Sequence, residues 1–410
     1  MTDHTTRHPG ELTRRRFLQG SAIAGVATFL AACGTSGTGG SGAPAGSSGS
    51  GTAATPAPSA SAGGAAQGGE LRFANWIGYI DTADDGSYPT LKKFEDETGI
   101  KVNYVEAVDG NEEFFTSNLQ GPLDAGLPTE WDIVVVTDWM VDRLARLKWL
   151  EQIDTANTPN LTANVAARYK GRSFDPNNDL AVPWQSGMTG LGFDQKKTGA
   201  LDSLAVLYTD EFKGKLTYLT EMRDTVGLTA LAQGVDPATI TQEQFDAALA
   251  KVDEAVKSGI VRQVTGNSYV DVMASGDAIL AMAWSGDVLT LLVPDQSEDQ
   301  DFQWVLAKEG GMLWTDNMVI PKGSPNKAQA ERWIDFYYDP ANAATIEAYV
   351  NYVCPVEGAK EVMLELDPDL ANNPLIFPPE DWVARLHQFR STTAEEETSW
   401  SEAFTKVLGL

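Results

Sequence analysis

Trp131-Asp132-Ile133-Val134-Val135-Val136 is the stretch from which the fold can be read. Ile133 to Val136 are four β-branched residues in a row, with no polar alternation. A strand of this kind is buried on both faces, as in a parallel sheet covered by helices. Thr137-Asp138-Trp139 ends it, and Val141, Leu144 and Leu147 follow at helical spacing. The same order stands upstream. Leu71–Ala74 reads as a strand. A helix then has Pro89 in its first turn, Leu91 and Phe94 inward and Gly99 as its stop. Ile100, Val102 and Tyr104 alternate as the next strand. Strand–helix alternation predicts an α/β fold.

Folds of this class place ligands in the loops after their strands. Asn75–Tyr79 and Thr137–Trp139 are two such loops, and both carry aromatics. Core packing accounts for either Trp taken singly. Trp284 follows a third apolar run, Ala278–Trp284, and leads into Ser285-Gly286-Asp287. In Gly310–Ile320, Trp314 stands two residues before Asp316, so an extended chain presents both on one side. A π face beside a carboxylate suits an organic ammonium. Glu221 and Asp224 are three apart at a predicted helix start, where capping and dipole complementarity explain Asp224 equally well. Thr241 and Gln244 have the spacing of a capping box.

The chain has 410 residues and a net charge of −27, enough for two medium domains with a surface that repels nucleic acid. Its two cysteines, Cys33 and Cys354, form neither a disulfide framework nor a zinc pair, and no cofactor motif is present. His4 and His8 lie in the leader, leaving His387 alone in the body. No Ser-His-Asp set or HExxH can be built around it, and Ala283–Asp287 lacks the glycines of a nucleophile elbow. A binding protein rather than an enzyme is expected. Paired carboxylates among Glu221, Asp224 and Asp316 leave a glycoside hydrolase as the catalytic alternative.

The N-terminus is read as an address. Arg14-Arg15-Arg16-Phe17-Leu18 and a short apolar run resemble a twin-arginine export signal. Leu30-Ala31-Ala32-Cys33-Gly34 resembles a bacterial lipoprotein box, which implies a lipid on Cys33 and a membrane anchor. Residues 34–69 are rich in Gly, Ser, Thr, Ala and Pro and form a flexible tether, roughly 30–36 Å end to end.

Five motifs, in order, carry a family resemblance. They are Asn75-Trp76, Trp131–Val135, Phe174-Asp175-Pro176-Asn177-Asn178-Asp179, Met282–Gly286, and Lys308–Gly311 leading into Trp314-Thr315-Asp316. Together they resemble the substrate-binding proteins of spermidine/putrescine ABC importers. The resemblance implies a two-lobed type II periplasmic-binding fold with the ligand in the cleft. It implies crossings near Gly187, Leu313 and Gly358, so lobe 1 comprises 70–187 plus 313–358 and lobe 2 comprises 188–312 plus 359–410. It further implies wall aromatics Trp76, Tyr79, Trp284, Trp314 and Tyr352, with Asp316 gripping one ammonium. Glu221 and Asp224 match the second acidic pair, and Thr137 and Trp139 a hydroxyl and an aromatic of the first lobe. Gln388 is a weaker match to a C-terminal Gln. A permease and an ATPase are the implied partners, and the binding protein itself is expected to be a monomer. Another cationic or zwitterionic amine, such as a γ-amino acid, stays open as ligand. A zwitterion needs a base in the cleft, and Arg223 and Arg72 are the candidates.

Overall fold

The computed structural model describes residues 68–294 and 296–409. The expected export signal, Cys33 and the expected tether up to Gln67 lie outside the described residues. Among the described residues no helix is long and apolar enough to cross a membrane.

Among the described residues ten strands form one sheet. They are β1 (Gly69–Trp76), β2 (Ile100–Val108), β3 (Ile133–Thr137), β4 (Val182–Asp194), β5 (Leu216–Leu219), β6 (Val261–Thr265), β7 (Leu280–Trp284), β8 (Phe302–Val305), β9 (Gly311–Val319) and β10 (Leu386–His387). The order is β2-β1-β3-β9-β4-β7-β5-β6, with β10 on β9 and β8 on β4. The predicted strand around Ile133–Val136 lies third from the edge, fully buried. Its neighbour β1 runs parallel to it and β9 antiparallel, so the sheet is mixed, and the continuous apolar run reflects burial on both faces.

β4 and β9 are antiparallel to each other and run through the middle of the sheet. All 13 residues of β4 are buried. Their outer halves belong to different hydrophobic cores. Val182 and Met318 join Phe73, Val135, Trp333 and Tyr337 in the first, while Leu191 and Met312 join Leu216, Tyr218 and Met282 in the second. The molecule is thus two lobes sharing two strands, with Gly187 opposite Trp314 and Met188 opposite Leu313 at the crossover. These are the first two crossings expected.

The third differs. Ala359, Met363 and Ala371 pack in the first core, against the Pro340–Val350 helix, although 359–410 was assigned to the second lobe by resemblance. Their apolar side is complementary to Ile346 and Val350 of that helix. The chain leaves the first lobe beyond Phe377, and the Trp382 ring already lies 6.0 Å from that of Trp304 of the second lobe, tilted against it. The C-terminal Ala394–Leu408 helix then stacks Trp400 on Phe245 at 4.0 Å.

Local signals hold. Gly99 takes a left-handed φ of 71° and stops the Pro89–Thr98 helix. Thr241 and Gln244 form a reciprocal capping box on the Gln242–Lys257 helix. Arg72 is bound by Asp132 at 2.7 Å, on the first lobe and away from the crossover strands, which removes it as a cleft base.

Candidate functional site

Strand register lays out the cleft floor. Directly paired residues of an antiparallel sheet project to the same face. Thr137 pairs with Asp316, and Asp316 with Gln185. Two residues along, Trp314 pairs with Gly187; two further, Met312 pairs with Thr189, and Thr189 with Trp284. Three rows on one face therefore bring Thr137, Asp316, Trp314 and Trp284 together from segments distant in sequence. Gly187 is required there: a Cβ would lie 2.1 Å from the Trp314 ring.

Asp316 is 5% exposed. Tyr79 Oη donates to its Oδ2 at 3.1 Å and Thr137 Oγ1 to its Oδ1 at 2.7 Å. Burial pushes its carboxyl up to about 7; the two hydroxyl donors offset only part of this, and the charge of Asp138 adds to it. Asp224 is built alike on the other lobe. Thr189 Oγ1 donates to Oδ1 and Trp284 Nε1 to Oδ2, each at 2.8 Å. Burial, then the charge of Glu221, pushes this carboxyl also up to about 7.

A third buried acid, Asp287, was not singled out from sequence. It accepts from Tyr269 Oη and Tyr352 Oη at 3.1 Å each. Tyr352 belongs to the first core and Asp287 follows β7 of the second, so this hydrogen bond spans the cleft. Gly286 permits it, since a Cβ there would sit 2.5 Å from the Tyr352 ring. The clue lay in Ser285-Gly286-Asp287, an acid just past a strand that ends in Trp.

The three acids are linked through aromatics. The Tyr79 and Tyr352 rings lie 5.6 Å apart, and those of Trp314 and Tyr352 5.5 Å apart. Tyr269 Oη also accepts from the Trp284 backbone N–H at 3.1 Å. Hydroxyl and indole donors hold carboxylates in place but supply no positive charge. Such a site is electrostatically complementary to a cation carrying apolar carbon. No cluster suited to a metal ion occurs among the described residues.

A family model described as bacterial extracellular solute-binding protein matches residues 90–378. This chain belongs to that family. The spermidine/putrescine-binding periplasmic protein of Escherichia coli (strain K12) is 26% identical over 339 residues, covering 82% of this chain and 91% of that protein. The substrate-binding protein PotD of a Streptococcus pneumoniae spermidine/putrescine ABC transporter superposes with a TM-score of 0.69 at 24% identity, covering 82% of this chain and 98% of that one. A putative spermidine/putrescine ABC transporter from Listeria monocytogenes gives 0.68 at 27%, with the same coverage. The two lobes and their interlobe cleft are the type II periplasmic-binding fold.

Within this solute-binding protein, the residues expected at the ligand differ in what already covers them. Trp139 carries Arg223 at 4.4 Å and Arg143 at 5.3 Å from its ring centroid. It borders a cleft pocket of about 60 Å³ that Thr137, Asp224, Trp314 and Gln388 also line. Gln388 is therefore at the cleft, although its match in sequence was weak. Trp76 is half-buried at the end of β1 and packs on the first-lobe cores. Glu221, not Asp224, is the helix cap: its carboxylate accepts from the Arg223 backbone N–H at 3.2 Å. Arg223 lines the pocket, but Glu221 at 3.7 Å and Glu397 at 3.8 Å already face its guanidinium. Cys354 is a buried free thiol.

Proposed function

We propose that this solute-binding protein captures an alkyl polyamine of the spermidine/putrescine class and presents it to an ABC importer. The observation that carries the reading is the set of three buried acids, Asp316, Asp224 and Asp287. Each is hydrogen-bonded by hydroxyl or indole donors, and among the described residues neither Asp316 nor Asp224 forms an ion pair with a Lys or Arg within 4.0 Å. Several kcal/mol would be lost on burying an ammonium without a counter-charge, and the acids at both ends of the cleft remove that cost. Trp314, Tyr352, Tyr79 and Trp284 would flank the methylenes, with about 0.5–2 kcal/mol for each cation–π contact. Gripping a ligand from both lobes favours closure about β4 and β9, and the closed pair of lobes is the surface a permease can distinguish. The relatives named for spermidine and putrescine point the same way.

A zwitterionic ligand is less well served, because Arg223 is already matched by Glu221 and Glu397. Calorimetric titration with putrescine, spermidine and a γ-amino acid tests the choice; heat with the amino acid alone would overturn it. For the N-terminus we read export by the twin-arginine route and lipid attachment at Cys33. Labelling with a radioactive fatty acid, lost in Cys33→Ala, is the expected result. Retention of the label in that variant removes the anchor from the reading.

A further inference from the structure

Gln185 is a fully buried polar residue on the cleft floor with no part in the site as described so far. It pairs with Asp316 across β4 and β9, so its side chain leaves the sheet on the Asp316 side. The face is fixed by its neighbours two and four residues on. Gly187 lies under the Trp314 ring, and Thr189 donates to Asp224. On the other edge of β4, Ser186 and Val353 exchange both backbone hydrogen bonds, at 3.1 and 2.7 Å. That antiparallel register sets Tyr352 against Gly187 and Cys354 against Gln185.

Gln185 is 0% exposed, and neither its Oε1 nor its Nε2 makes a hydrogen bond among the described residues. Glu347, also 0% exposed, stands beside Gln185, Cys354 and the Tyr352 backbone, whose polar groups offset part of what burial does to its carboxyl, although none reaches full hydrogen-bond geometry. Burial holds that carboxyl well above the usual carboxylate range. A buried amide left without partners is costly and calls for a functional account.

A primary ammonium has three N–H donors. The oxygens of Asp316 already accept from Tyr79 and Thr137, which leaves limited capacity for all three. A second ionised carboxylate in the same volume would repel the first, whereas an amide oxygen adds an acceptor without charge. We propose that Gln185 contacts the ligand: its Oε1 accepts one N–H of the ammonium whose charge Asp316 takes, and the residue thereby selects primary over fully alkylated amines. The inference rests on the amine reading above and narrows it.

The test compares putrescine with N,N,N′,N′-tetramethylputrescine by calorimetry on the full chain, wild type and Gln185→Met. Losing one hydrogen bond to a charged group should weaken putrescine about 10- to 100-fold. Binding of the tetramethyl diamine should change less than about twofold. The ligand-free variant should melt no lower than wild type, because a partnerless buried amide has been removed. A purely structural Gln185 predicts a lower melting temperature and equal losses for both amines, and that pattern overturns the proposal, as does unchanged binding of both. If Gln185→Met does not fold, Gln185→Glu keeps acceptor oxygens in place and should keep the preference for the primary amine; equal treatment of the two amines by that variant overturns the proposal. Wild type giving no heat with either diamine removes the amine reading and this inference together. Wild type binding normally beside an indifferent Gln185→Met removes this inference alone.

Discussion

Tyr352 Oη donates to Asp287 Oδ1 at 3.1 Å, joining the two lobes across the cleft. The same ring touches Tyr79 and Trp314, which stand around Asp316. Tyr352 is thus both wall and bridge. Tyr352→Phe keeps the ring and deletes the bridge. Its polyamine affinity should fall about 10-fold, the usual worth of one hydrogen bond to a charged group, with the loss in the off-rate. Stopped-flow release kinetics measures this, and an unaltered off-rate contradicts it.

Asp287→Asn should weaken binding more than Tyr352→Phe does. It removes a charge rather than only a hydrogen bond, and truncating one partner of a buried ion pair costs about 3–5 kcal/mol. Side-by-side titration of the two variants checks the order.

The two acids pushed up to about 7, Asp316 and Asp224, make both stability and binding depend on pH. Their folded values lie above the ordinary carboxylate value of 3.8, so between about 4 and 7 the folded chain holds protons that the unfolded chain has released. Their contribution to the stability of the ligand-free protein is therefore full below about pH 4 and is lost as pH rises through about 7. Binding a cation requires the ionised forms. Affinity should rise from pH 5 to 8, with up to about two protons released per ligand below pH 7. Titrations in buffers of different ionisation enthalpy count those protons. Proton uptake, or none, contradicts the assignment.

Gly187→Ala should damage the site without touching an acid. Its Cβ would collide with Trp314 at 2.1 Å, so the indole must move. Overpacking of this kind costs about 1–3 kcal/mol, and the melting temperature should fall together with affinity.

At the cleft mouth, Glu397 of the second lobe takes Arg143 at 3.0 Å and Arg146 at 2.6 Å from the first. Glu397→Ala removes this tie between the lobes, leaving Arg143 to Glu112 and Arg146 to Asp142 within the first, and should shift the lobes toward an open arrangement. Small-angle scattering reads this as a larger radius of gyration than wild type under the same conditions.

How far sequence alone reaches can be judged from particular residues. The Ile133–Val136 strand, the Thr241–Gln244 box and the Trp314–Asp316 pair are local patterns with a period, and a period survives without knowledge of partners. Asp287 was harder, because an acid after a Gly at a helix start has an ordinary structural explanation. Trp139 matches a first-lobe aromatic by resemblance, but its face is taken by arginines from two helices, a fact of tertiary packing. Gln185 gives no signal until its pairing with Asp316 is known. The third crossing shifted because Ala359 and Met363 are apolar on one side only, and which lobe receives that side depends on distant residues.

The central claim is that Asp316 is the counter-charge for a protonated alkylamine. Calorimetric titration of putrescine and spermidine into wild type and Asp316→Asn tests it most directly. The account predicts saturable one-to-one binding to wild type and a loss of about 100-fold or more in the variant, from the 3–5 kcal/mol a buried charge partner is worth. Equal binding to both proteins, or no binding to wild type, would contradict it.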